Sequence, residues 1–279
     1  MNKKIQTISF QGIEGANSHL ACKKIFPKLK ILPCETFEDV FESVEKNNSD
    51  IALIPIENSI AGRVAEIHNL IQKTSLKIIG EYFMKIELHL LGLKKTSFSK
   101  IKSVHSHIHA LSQCRKIIKK YKLKKHISVD TAGAAKEISQ NDDYSQSAIA
   151  SGLACKIYNL KILKKNVEDN FKNTTRFIIL KKKEININPK KGKVLTTLIF
   201  RVNNTPASLH KALTCFAINN VNLTKLESYV GDSFKQAEFY VDLEGHKNDK
   251  NVKEALEEIK EYPEFVNILG VYFADKFRK

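Results

Sequence analysis

Hydrophobic positions change their period several times along this chain of 279 residues. In the first two thirds, short apolar runs alternate with segments whose apolar residues recur every three to four positions. That is the mark of strands feeding amphipathic helices. TISF (Thr7 to Phe10) predicts a strand, followed through a glycine-containing turn by a helix from about Asn17 to Phe26. Thr36 is a natural N-cap for a helix reaching Lys46, with Phe37, Val40, Phe41 and Val44 on one face. A strand over Asp50 to Ile56, a helix around Val64 to Gln72 and a long extended run from Leu76 to Leu93 follow. Strand IKSVHS, helix Ala110 to Tyr121, strand HISVD, helix Thr131 to Ser139, strand SAIA, helix Leu153 to Tyr158 and strand FIIL complete the series. This alternation predicts an open, mostly parallel α/β architecture. A chain crossing near Tyr82 and returning near Leu163 makes two lobes, about 1–82 with 164–180 and about 83–163. Ligands then sit in the cleft beyond the carboxyl ends of the strands.

The pattern changes at KKKEININPKKGK, residues 181–193. This stretch is charged, contains Pro189 and Gly192 and shows no apolar face, so it reads as a linker and domain boundary. Beyond it come strand VLTTLIFRV and a helix with Thr205 as N-cap, Pro206 at its first position and Leu209, Leu213, Phe216 and Ala217 inward. NLTKLESYV and KQAEFYVDLEG, joined by a Gly-Asp turn, predict a hairpin. A helix from Asp249 to Glu261, with Val252, Leu256 and Ile259 on one side, and strand FVNILGVYF close the unit. The order βαββαβ is that of a ferredoxin-like domain.

Composition changes this picture little. The 42% hydrophobic and 27% charged content is that of a soluble globular chain, and no run approaches a membrane span. The N-terminus has no apolar h-region, so a cytoplasmic protein is expected. The formal net charge of +16 raises nucleic-acid binding, yet only Arg63, Arg115, Arg176, Arg201 and Arg278 are arginines. Base and bidentate phosphate recognition favour arginine, so the lysines read as solvated surface. Cys22, Cys34, Cys114, Cys155 and Cys215 form no CxxC pair and sit in apolar contexts, as small buried hydrophobes do.

Four polar segments carry the candidate chemistry. GIEGANSH brings Gly15, Asn17, Ser18 and His19 to a helix start, where free N–H groups and the helix dipole suit an anion. Plain capping by Asn17 or Ser18 is the alternative. The segment lacks the GxGxxG pattern and a Walker lysine, which argues against a nucleotide. IPIENSIAGRV places Glu57, Asn58 and Ser59 after an apolar strand, where turn chemistry also favours them. SHIHALSQC carries Ser106 and Gln113 beside alternating His105, His107 and His109. No carboxylate accompanies those histidines in the segment, which argues against a metal. NTTRFIIL leads through Asn173, Thr174, Thr175 and Arg176 into a strand, offering two hydroxyls and a guanidinium to an anion. No serine- or cysteine-nucleophile signature, HExxH or zinc spacing is present. Neutral donors and positioned charge suit an elimination better than hydrolysis through a covalent intermediate.

The segments GIEGANSH, IPIENSIAGRV, SHIHALSQC, TAGAA, AIASGLA and NTTRFIIL, across about residues 5–180, resemble prephenate dehydratase. TPASLHKAL, NLTKLESYV and FYVDLEGH resemble the ACT regulatory domain that follows it in that family. The resemblance implies a two-lobed, periplasmic-binding-protein-like (type 2) catalytic domain over 1–180, the linker 181–193 and an ACT domain over 194–279. It implies decarboxylative dehydration of prephenate to phenylpyruvate in L-phenylalanine biosynthesis, without metal or organic cofactor, by a monofunctional homodimer or homotetramer. The essential threonine of the family's TRF motif falls on Thr175, and cleft positions fall on Asn58, Ser106 and Gln113. Substrate contacts are expected from Gly15, Asn17, Ser18, His19, Glu57, Ser59, Thr174 and Arg176.

The chemistry sharpens two of these roles. A threonine hydroxyl can donate a hydrogen bond to an oxygen that gains charge in the transition state. A strong cation on the ring carboxylate, which loses its charge as carbon dioxide departs, would favour the ground state. Arg176 is therefore expected on the side-chain carboxylate, which keeps its charge. The regulatory half departs from its pattern: the GAL and ESRP motifs become Ala207-Ser208-Leu209 and Glu227-Ser228-Tyr229-Val230. With Leu213 and Asn222, the residues Ala207, Ser208, Leu209, Glu227 and Ser228 remain compatible with an L-phenylalanine pocket between ACT domains. Two other readings share these features, a non-catalytic amino-acid-sensing clamp and an arogenate dehydratase.

Overall fold

The structure is a computed structural model that describes residues 5–230, 237–261 and 263–278, the side chains of 230, 263 and 264 excepted. The chain divides into two compact units, residues 1–68 with 83–177 and residues 69–82 with 178–279. Its elements run β1 (Thr7–Gln11), α1 (Asn17–Ile25), β2 (Lys30–Cys34), α2 (Phe37–Glu45), β3 (Ile51–Asn58), β4 (Gly62–Arg63), α3 (Ala65–Lys73), β5 (Lys77–Lys85) and β6 (His89–Gly92). There follow β7 (Ser103–Ser106), α4 (Ile108–Gln113), α5 (Arg115–Lys120), β8 (Lys124–Ile127), α6 (Thr131–Ser139), β9 (Gln146–Ala150), α7 (Gly152–Ile157), β10 (Lys161–Lys164) and β11 (Thr174–Lys181). The C-terminal part holds β12 (Val194–Val202), α8 (Ser208–Ile218), β13 (Leu223–Val230), β14 (Ala237–Glu244), α9 (Lys250–Glu258) and β15 (Pro263–Phe273).

The first unit is the two-lobed α/β architecture that the alternation predicts. In one lobe β1 lies between β2 and β3, both parallel to it, and the start of β11 flanks β3. The other lobe is a five-stranded mixed sheet in the order β10-β6-β9-β7-β8. Its core is built of small residues, Ala132, Ala134, Ala135, Ala148, Ala150 and Ala154, closed by Leu91, Ile138 and Leu160. Short side chains let helices α6 and α7 approach the sheet closely. The two crossings between lobes pair with each other: Ile86 N donates to Asn173 O (2.8 Å) and Val167 N to Leu88 O (2.8 Å).

The second unit contains the ferredoxin-like βαββαβ fold, with strand order β13-β14-β12-β15 and residues 77–82 of β5 beside β15. That parallel contact is made at Gly270, where a Cβ would stand 2.1 Å from the carbonyl oxygen of Ile78. Only glycine permits the two backbones to meet there. Helices α8 and α9 cover one face of the sheet around Leu198, Phe200, Phe216, Phe239, Val241 and Leu256. The other face carries charges in the interior. Arg278 donates from Nε to Glu81 Oε1 (2.8 Å), from Nη2 to Asp242 Oδ2 (3.0 Å) and from Nη1 to Thr224 Oγ1 (3.1 Å). Thr197 Oγ1 donates to Asp242 Oδ1 (2.7 Å) and lies 2.7 Å from the Tyr272 hydroxyl.

Several local expectations are corrected. Thr205 and Pro206 precede the helix rather than start it: Ala207 holds the cap position in a left-handed conformation (φ 65°) and Thr205 Oγ1 lies 2.6 Å from Ser208 Oγ. Ala212 and Cys215 face inward with Phe216, while Ala217 is exposed, because the helix packs along its 212-215-216 stripe. The 181–193 stretch does have an apolar side, since Ile185 and Ile187 pack with Val194 and Val271. The helix expected over 110–121 is two helices, broken at Cys114, where Asp169 accepts from the N–H groups of Arg115 and Lys116. The Gly-Asp turn at 231–232 lies outside the described residues.

Candidate functional site

The end of β3 and the start of β11 are bound together by their side chains. Ser59 N donates to Thr174 O (2.8 Å), Thr174 N to Ser59 Oγ (2.9 Å) and Ser59 Oγ to Lys172 O (2.8 Å). Asn58 closes an Asx turn, its Oδ1 accepting from the N–H groups of Ile60 (3.0 Å) and Ala61 (2.9 Å). Its Nδ2 donates to Asn173 Oδ1 (2.7 Å), Thr175 Oγ1 (2.9 Å) and, more weakly, Thr174 O (3.3 Å). Asn173, 1% exposed, donates from Nδ2 to Gln113 Oε1 (2.8 Å). Five sequence-predicted residues, Asn58, Ser59, Thr174, Thr175 and Gln113, therefore stand in one connected network. Asn173 is the functional residue for which the sequence predicts no contact, and its adjacency to the threonine pair is the signal that points to it.

The state of the Thr175 hydroxyl follows from this network. Its oxygen already accepts from Asn58, and among the described residues its proton has no acceptor. The half-buried group is thus left as a donor to whatever occupies the site.

Arg176 stands differently from the sequence expectation. It is 1% exposed, its Nη1 donates to Glu57 Oε1 (3.0 Å), and its guanidinium lies 5.9 Å from the centre of the Phe83 ring. Glu57 is the more exposed partner. A strand residue flanked by polar and apolar neighbours reads the same in sequence whichever face it takes. Ser106 is fully buried, and its hydroxyl donates to Ile149 O (2.6 Å), joining β7 to β9.

The glycine segment is a clasp within the first unit. Gly15 (φ 94°) donates its N–H to His19 Nδ1 (3.0 Å) and accepts at its carbonyl from Ser151 Oγ (2.7 Å). Ser151 also caps α7 through Ala154 N (3.0 Å), and Tyr158 OH donates to Glu14 O (2.7 Å). A Cβ on Gly15 would lie 3.0 Å from Ala154 Cα. His19 is buried against the Phe10 ring, and burial, with Lys23 nearby, pulls its pKa below the usual value. It stays neutral and can accept. Neither Asn17 nor Ser18 caps α1, since the cap position is Ala16 without a side-chain bond. Both side chains are half-buried and have no protein hydrogen-bond partner among the described residues. The alternating histidines have separate uses: His105 stacks on His126, and His107 Nδ1 accepts from His109 N (3.3 Å).

In the second unit, Leu209 and Leu213 are partly buried against the ferredoxin-like core. Asn222 accepts through its carbonyl from Glu244 N (2.9 Å), and Glu227 pairs with Lys225 (2.8 Å). Ser228 is exposed on β13, at the end of the strand order. Tyr229 is buried and its hydroxyl pKa is raised, chiefly by that burial.

A two-lobed α/β clamp with an array of neutral donors, followed by a ferredoxin-like unit, defines a class of small-molecule proteins. The comparisons make the class specific. Residues 8–185 match the prephenate dehydratase family. A protein of Komagataeibacter europaeus, named bifunctional N-acyl-homoserine lactone acylase/prephenate dehydratase, is 40% identical over 98% of this chain and 97% of its own. A bifunctional chorismate mutase/prephenate dehydratase of Buchnera aphidicola is 38% identical over 96% of this chain and 71% of its own. The solved structure of an Arthrobacter aurescens prephenate dehydratase in complex with L-Phe has a TM-score of 0.90 at 26% identity, covering 98% of this chain and 91% of that one. This chain belongs to the prephenate dehydratase family.

Proposed function

We propose that the protein converts prephenate to phenylpyruvate, carbon dioxide and water. The observation that carries the reading is the Thr175 hydroxyl, whose oxygen accepts from Asn58 while its proton has no acceptor among the described residues. In the reaction the bond from the ring to its carboxylate breaks and carbon dioxide leaves. The electron pair enters the ring as the bond to the hydroxyl oxygen opposite breaks. The departing oxygen takes a proton from solvent and leaves as water. Thr175 donates to that oxygen as its charge grows, and the Gln113 amide, Asn17, Ser18 and the first N–H groups of α1 supply neutral donors to the carboxylates. Ser59 and Thr174 hold the backbone that aims Thr175. Arg176 acts from below: by pairing with Glu57 it keeps that carboxylate from repelling a dianion. Gly15 and His19 fix the start of α1, and Ser106 fixes β7 ahead of α4.

Amide hydrolysis, which the name of the Komagataeibacter relative raises, fits the site less well. Burial raises the pKa of Cys22 to about 12, and it raises those of Cys114, Cys34, Cys155 and Cys215 as well. A thiol is nucleophilic as thiolate, so these are inert.

The ferredoxin-like unit over 194–279 is read as an ACT domain that binds L-phenylalanine near Ala207 to Leu209, Leu213, Asn222, Glu227 and Ser228. The Arthrobacter structure with bound L-Phe supports this. The open edge of β13 supports pairing with a second copy in a homodimer or homotetramer. A cytoplasmic enzyme goes with this reading, and among the described residues no helix is long and apolar enough to cross a membrane. An assay of product formation from prephenate and from arogenate, with and without phenylalanine, tests the whole assignment. Turnover of neither substrate overturns the catalytic reading. Neither inhibition nor calorimetric heat at millimolar phenylalanine overturns the regulatory one.

A further inference from the structure

We infer that Asn173 is a positioning residue that sets which atom of Gln113 faces the substrate; this rests on the dehydratase reading and adds a residue to it. Backbone groups cannot reverse their polarity. The N–H groups of Ile60 and Ala61 can only donate, so Asn58 must turn its oxygen to them and its nitrogen away. Asn58 nitrogen then meets Asn173 oxygen, and Asn173 nitrogen meets Gln113 oxygen. Each amide in the series is fixed by the one before it. The result is that Gln113 presents its NH₂, which has no protein acceptor among the described residues. The same Asn58 nitrogen fills an acceptor site on Thr175. Two donors, one on β11 and one at the end of α4, thus take their polarity from a single turn. An acceptor in either place would face carboxylates and a departing hydroxide, which is repulsive.

Asn173 is the link that can be reversed without changing shape. Aspartate has the same outline but, ionised, can only accept. In Asn173→Asp the bond from Asn58 survives, whereas Gln113 must turn its NH₂ inward and present oxygen to the substrate. Expected is a fall of about 10²-fold in kcat/KM, the size of one lost transition-state donor, with the fall mainly in kcat. The loss should also be coupled. Gln113→Ala, costly in the parent, should cost less than about threefold in the Asn173→Asp background, because the donor is already gone. Multiplying losses, or a kcat/KM of Asn173→Asp close to that of the parent, would overturn the inference. If Asn173→Asp fails to fold, Asn173→Ala replaces it in the same cycle, with a smaller coupled loss expected from a Gln113 free to take both orientations.

A readout independent of turnover separates this inference from the functional one. In protein labelled with ¹⁵N-glutamine, the Gln113 side-chain NH₂ should exchange readily with water in the parent and be protected in Asn173→Asp. A parent inactive on both substrates removes the functional reading, and exchange then decides the orientation alone. Unchanged exchange overturns it.

Discussion

Each of the two units holds a polar network, and the two networks differ in what they leave over. In the second unit, Arg278, Glu81, Asp242, Thr224, Thr197 and Tyr272 use charged groups in the interior, and Glu81 and Asp242 side chains are fully buried. Each Arg278 nitrogen has an acceptor and both Asp242 oxygens have a donor. In the first unit, Asn58, Asn173, Gln113 and Thr175 are neutral and end in donors that no described residue accepts. A closed network of charges holds a fold, because losing a charged member leaves its buried partner uncompensated. An open network of neutral groups can serve a reaction, because it is already organised and still has capacity to bind.

The contrast can be broken most severely at Arg278. Arg278→Ala leaves two buried carboxylates without their cation, which costs about 3–5 kcal/mol. Urea unfolding should show that loss in the second unit. A loss under about 1 kcal/mol, the scale of an exposed pair, would mean that the network is not closed as described. The complementary change is Thr175→Ala. It should lower kcat by about 10²–10³, roughly 2.7–4 kcal/mol of transition-state stabilisation. Unfolding should move by no more than about 1 kcal/mol, since Asn58 keeps Asn173 as acceptor. An unchanged kcat would remove Thr175 from the chemistry.

The smallest expected effect is on acid response. Burial lowers the pKa of His19, His89, His105 and His107, all in the first unit. Unfolded histidine, at about 6.5, takes its proton first, so that unit should lose stability as pH falls below 6.5, towards the depressed folded values. In the second unit Lys193, hydrogen-bonded to Glu244, holds that carboxyl below its usual 4.5. Its contribution is present above 4.5 and is lost only as pH falls further. Hydrogen exchange, corrected for its intrinsic pH dependence, should therefore show protection falling first in the first unit. Simultaneous loss in both would contradict this order.

Strongly periodic elements were legible in the sequence. The strand over Val194 to Val202 has the expected bounds, and Thr36 caps α2 in a capping box with Asp39. The strands missed were the two-residue β4 and, more tellingly, β2 and β10, which end their sheets and read as KILPC and KILK. Lysine and proline suit an edge, where a backbone donor is dispensable and aggregation must be blocked, so the pattern that marks a buried strand is missing. At the site, residue types were legible and directions were not. Nothing local tells that Arg176 turns inward to Glu57, that Ser106 is consumed by Ile149, or that Asp169 divides a helix at Cys114. Those outcomes depend on partners at least 43 residues away in the chain.

The link between Glu81 and Arg278 spans 197 residues. At a synthesis rate of roughly 5–20 residues per second, β5 waits about 10–40 s for its counter-charge to emerge. During that interval residues 83–177 have been made and have their own unit to form, while Glu81 stays hydrated. The second unit therefore matures last, and its closing step has to dehydrate two carboxylates together. A newly made chain would hold an assembled clamp before it holds a finished ferredoxin-like unit.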